Sequence, residues 1–60
     1  MIWSLRISDI IKLENDTYHY EVKDVFSNLI TLENVLTHDK KEVKLSDIRE
    51  TATVIRRNDL

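Results

Sequence analysis

Hydrophobic and polar positions alternate with a period of two along much of the chain. Tyr18, Tyr20 and Val22 share one parity, and His19, Glu21 and Lys23 take the other. That pattern predicts a strand packed on one face and wet on the other. Val25 and Phe26 are both apolar after Lys23-Asp24. A bulge near Asp24 would bend the strand and return Val25 to the core side. Ser27-Asn28 predicts a tight turn. Leu29–Leu36 then forms a second strand, with Ile30 and Leu32 inward and Thr31 and Glu33 outward. Asn34 lies on the inward parity, so the strand is expected to bend or fray there. The hairpin Tyr18–Leu36 is the unit around which the shorter flanks are organised.

The flanks carry briefer patterns. In Ile7–Glu14, Ile7, Ile11 and Leu13 share a parity that Asp9 interrupts. This predicts a strand starting near Ile10, against a rival helical turn capped by Ser8. Met1–Arg6 holds no clean period and is read as an extended arm, with Trp3 over one end of the core. Thr37–Lys40 is a turn, and Lys41–Leu45 alternates again. Ser46 is placed to cap a single helical or 3-10 turn, from which Ile48 would plug the core. Thr51–Arg56 is the last strand, and residues 57–60 are a loose tail. The sum is one all-β domain over residues 1–60: a small five-stranded barrel with a 3-10 or helical turn before the last strand. Its expected core is Ile7, Ile11, Leu13, Tyr20, Val22, Val25, Ile30, Leu32, Val43, Leu45, Ile48 and Val54.

Composition sharpens this picture. The 60 residues contain no Cys, Gly or Pro. Without disulfides or thiolate–metal links, stability rests on the apolar residues or on a partner. Turns that need a positive φ are expected to use Asn or Asp, at Asn15-Asp16, Ser27-Asn28 and His38-Asp39. No apolar run approaches a membrane span, and Met1-Ile2-Trp3 does not open a signal peptide. A soluble, cytoplasmic protein is the expectation. The net charge of −2 with 33% charged residues fits an ordinary solvated surface. It fits neither a basic nucleic-acid module nor a strongly acidic DNA mimic. Residues 1–34 carry −3 and residues 35–60 carry +1.

Four stretches in order carry a resemblance: Ser8-Asp9-Ile10-Ile11, Tyr20-Glu21-Val22, Ile30-Thr31-Leu32 and Leu45-Ser46-Asp47-Ile48-Arg49. Over about residues 7–56 the chain resembles SH3-like small barrels. It is similar to their bacterial, phage and integrase-tail versions, which share features with KOW and Tudor domains. Ser8 stands where such barrels often place Gly. Neither a methyl-lysine cage nor an acidic–aromatic groove for proline-rich peptides is evident. SH3-like barrels host many functions, so the resemblance assigns none.

Candidate chemistry is sparse. There is no Cys nucleophile, no Ser with a base and its orienting group, and no Gly-rich phosphate loop. No cofactor is expected, and the chain is read as non-enzymatic. His19 with Glu21, or His38 with Asp39, lacks a recognised metal-ligand spacing. Both histidines read as exposed strand and turn residues. The leading functional reading is an interaction module for a protein partner or for self-association, using Ile2, Trp3, Leu5 and Tyr18. A phage or mobile-element accessory protein acting on a larger machine is one form of it. The alternative is a KOW- or Tudor-like nucleic-acid binder using Lys40, Lys41, Lys44, Arg49, Arg56 and Arg57. Asp39, Glu42, Asp47 and Glu50 are interleaved with that basic set and offset it.

Overall fold

The computed structural model describes residues 1–58. Five strands form among the described residues: β1 (Ile10–Lys12), β2 (His19–Phe26), β3 (Leu29–Asn34), β4 (Lys40–Lys44) and β5 (Thr53–Arg56). One helical turn, α1 (Leu45–Ile48), precedes β5. The strands make one antiparallel sheet in the order β4-β3-β2-β1-β5. The fold is all-β, as the alternation predicts. No ladder joins β4 to β5, so the hydrogen-bonded sheet is open and the expected closure into a barrel is not made.

The inward parity of the central strands builds the core. Ile11, Val22, Ile30 and Leu32 are fully buried, with Tyr20 and Leu45 nearly so. Leu13, Val43, Ile48 and Val54 pack against them, partly covered. The ladder between β2 and β3 slips between Val22 and Asp24, where the bulge was expected. The slip sets Val25 opposite Ile30, hence on the core side. Val25 still stays 37% exposed, because it lies beside the hairpin tip where little covers it.

One expected core position lies outside, and two that were not expected lie inside. Ile7 is 54% exposed, whereas Ile2 and Leu5 are 6% and 5% exposed. The chain reverses before β1: the Asp9 amide donates to the Arg6 carbonyl at 3.0 Å, and Ser8 takes a φ of 77°. That turn breaks the parity linking Ile7 to Ile11. The first residues, read as an extended arm, have no regular secondary structure. They cover the core, held by an Ile2 amide bond to the Arg49 carbonyl at 2.8 Å. Trp3 does not lie over the core; it is 74% exposed and stacks against the Arg49 guanidinium.

Asp9 is fully buried and binds the two ends of the described chain together. Its carboxylate accepts the Arg6 amide at 2.8 Å, the Asn58 amide at 2.7 Å and the Arg57 guanidinium at 3.1 Å. Arg57 also donates to the Ser4 carbonyl, and the Asn58 side chain donates to the Ile7 carbonyl. The tail expected to be loose is thus fixed at Arg57 and Asn58; Asp59 and Leu60 lie outside the described residues.

Positive φ falls at Ser8, Asn15, Ser27 and His38, so only one of these positions is the expected Asn or Asp. At the hairpin tip Asn28 has another task. Its carbonyl accepts the Leu45 amide and its side-chain oxygen accepts the Ser46 amide. These are orphan N–H groups of the first turn of α1. The expected Ser46 cap is therefore supplied from across the fold. Ser46 sits inside α1 rather than before it, and its hydroxyl accepts from Asn28 Nδ2 at 2.9 Å.

Candidate functional site

Two polar turns meet at one end of the central hairpin. The β1–β2 turn brings Asp16 and Tyr18, and the β3–β4 turn brings Thr37 and Asp39. Tyr20 and Asn34 sit directly opposite each other on β2 and β3, and so place these turns side by side. With Lys40 and Lys41 they line an open cleft of about 390 Å³.

Each turn is fixed by a short polar side chain. In the first, the Leu13 carbonyl accepts the Asp16 amide, and Asp16 Oδ1 accepts the Tyr18 amide at 2.9 Å. In the second, Asn34 Oδ1 accepts the Leu36 and Thr37 amides at 2.8 and 3.0 Å. The Asn34 backbone accepts from His38 and donates to Asp39. Asn34 is 5% exposed, so its inward position is occupied by a polar group whose side-chain oxygen and backbone are hydrogen-bonded. Such local side-chain bonds favour turns over continued strand.

The cleft is also ordered electrostatically. The Tyr20 hydroxyl donates to Asp16 Oδ2 at 2.6 Å. Lys41 Nζ stands 4.6 Å from the centre of the Tyr20 ring and 4.0 Å from the same carboxylate oxygen. The Tyr20 hydroxyl, then the Tyr18 amide, hold the Asp16 carboxyl below its ordinary range, with Lys41 and Lys12 adding to the effect. The same bond from the other side pushes the Tyr20 phenol up. Outside the cleft lining, His38 Nδ1 meets Glu33 Oε2 at 3.0 Å, which lowers the Glu33 carboxyl.

The cleft draws on both sets of candidate residues. Tyr18 comes from the protein-binding set, and Lys40 and Lys41 come from the nucleic-acid set. The other candidates lie elsewhere. Ile2 and Leu5 belong to the core. Trp3 is at the surface with Arg49 against one face of its ring, 5.5 Å from the centre. Lys44 lies on β4 and Arg56 on β5, the two outer strands of the sheet. Arg57 is committed to Asp9. Among the described residues no group of three or more His, Cys, Asp or Glu could hold a metal ion. No described helix is long and apolar enough to cross a membrane.

Asp16, Tyr20, Asn34, Thr37 and Asp39 were not among the candidate site residues. Their signal was present in part, since Asn15-Asp16 and His38-Asp39 read as turns. What pairs those turns is the register that sets Tyr20 against Asn34. No family model, no curated protein and no solved structure matches the chain.

Proposed function

We propose that this chain is a non-enzymatic interaction module on an SH3-like sheet, and that the cleft between its two polar turns receives a protein partner. The SH3-like reading is supported by the strand order, with β1 between β2 and β5, and by the helical turn before β5. The observation that carries the binding reading is the cleft itself. It joins a half-exposed tyrosine ring, two lysines and two aspartates on turns already locked by hydrogen bonds. A concave site with a few fixed polar groups is the usual form of a recognition site, and pre-organised turns lose little entropy on binding.

The nucleic-acid reading draws less support. Of its six basic residues, Lys41 pairs with Asp16, Arg57 with Asp9, and Arg49 stacks on Trp3. The test is a photo-crosslinking residue at position 18, with position 42 on β4 as control, in the native cell extract with and without nuclease. Nuclease-resistant protein adducts at position 18 alone are expected. Adducts that vanish with nuclease, or equal labelling at both positions, overturn the proposal.

A further inference from the structure

We infer that the segment received by this cleft is uncharged and apolar: a partner peptide that sets large aliphatic side chains against Tyr18, Val35 and Leu36. The inference rests on the interaction reading above and names the chemistry of its partner. Charge gives the cleft no preference of sign. Asp16 and Asp39 line it together with Lys40 and Lys41, two carboxylates and two ammoniums. Part of that charge is already engaged inside the site: Lys41 stands 4.0 Å from Asp16, and Asp39 Oδ2 accepts the Thr37 hydroxyl at 3.2 Å. A segment with net charge of either sign would meet like charge here as well as opposite charge. An uncharged segment matches a site whose own charges cancel.

What the two turns leave uncovered is apolar. Tyr18 is 42% exposed, Val35 44% and Leu36 71%. Val35 and Leu36 stand in the chain between Asn34 and Thr37, which both line the cleft. The Val35 amide donates to the His19 carbonyl at 3.1 Å, which ties this turn to the residue after Tyr18. The side chains that shape the turns also hold these residues in place. Asp16 accepts the Tyr18 amide at 2.9 Å, and Asn34 accepts the Leu36 amide at 2.8 Å. A backbone fixed in this way keeps both side chains outside the core, so a partner can cover them without reordering either turn. Covering them with aliphatic groups removes apolar surface from water, a gain that salt does not screen.

The test is a nitrogen-15 NMR titration of the whole chain with capped peptides. The first probe has two central leucines flanked by two serines on each side. The second replaces both leucines with alanine. The third and fourth keep the leucines and replace the serines with glutamate or with lysine. The leucine–serine peptide is expected to shift the amides of Tyr18, Val35, Leu36 and Thr37. The alanine peptide should bind about ten-fold more weakly, the scale of two partly buried leucine side chains. L36A should lose about three-fold, and F26A, equally exposed at the other end of the hairpin, should lose none. The glutamate and lysine peptides should bind within about two-fold of the serine one, and added salt should not weaken the serine peptide. Equal binding of the alanine peptide at these amides overturns the apolar preference but leaves the cleft as the binding site. So does a glutamate or lysine peptide that binds far more tightly and weakens with salt. Concentration-dependent shifts of the same amides without peptide overturn the partner peptide in favour of a second copy of this chain. Shifts confined to other surfaces, or none with any peptide, overturn the preference and the cleft together.

Discussion

Replacing Asp9 with asparagine would keep the side chain's shape and remove its charge. The new amide nitrogen would face the Arg6 amide and the Arg57 guanidinium, both donors. Burying unmatched donors is costly, so D9N should lose about 2–4 kcal/mol in urea unfolding. R57A should lose about 1 kcal/mol, because its guanidinium is half in water and the carboxylate keeps two backbone amides. Burial pushes the Asp9 carboxyl up, but the Asn58 and Arg6 amides and Arg57 together leave it below its ordinary range. A carboxyl lowered in the folded state contributes fully at neutral pH, and the contribution fades as pH falls through the lowered value. Asp16 and Glu33 shift in the same direction. The thermal midpoint should therefore fall in acid, below about pH 4, and that acid limb should be shallower in D9N. At Ser8 the expected change has the opposite sign. Its φ of 77° suits glycine better than serine, so S8G should gain about 0.5–1 kcal/mol in the same unfolding assay.

At the scale of elements, the central hairpin and α1 depend on each other through Asn28. N28A would remove both side-chain bonds to Ser46 and leave an amide of the first helical turn unpaired. A loss of about 1–2 kcal/mol is expected, with faster hydrogen exchange in Leu45–Ile48 than in β3. L32A should cost about 2–5 kcal/mol, enough to unfold so small a chain; a stable L32A would contradict its full burial. These elements were legible where the alternation is regular. Tyr20, Val22, Ile30 and Leu32 read inward from the sequence and are inward. Asn34 and Asp9 were legible only as interruptions, polar residues on an apolar parity. Each is buried and held by hydrogen bonds, but Asp9's partner Arg57 lies 48 residues away, beyond any local pattern. Ile2 and Leu5 were illegible as core because an irregular segment has no period to reveal which side chains turn in. The cleft was legible as two separate turns, and only the register of β2 on β3 makes them one site.

At the scale of the whole molecule, first and last segments share the sheet and the buried carboxylate. β1 pairs with β5, and Ile2 and Leu5 close the core beneath residues drawn from the middle of the chain. Removing residues 1–6 deletes two buried aliphatics and should leave the remainder unfolded by circular dichroism. The open sheet leaves β4 and β5 with unpaired edges. Lys40, Lys41 and Lys44 put repeated positive charge along β4, which discourages edge-to-edge pairing between copies. Because β1 awaits β5, synthesis on the ribosome offers no stable halfway stage. While residues 53–58 are still inside the exit tunnel, Asp9 stays hydrated and the hairpin has only part of its cover. Cooperative folding must then wait until residues 53–58 have emerged, so the nascent chain carries Asp9 and part of its apolar core unprotected up to that point.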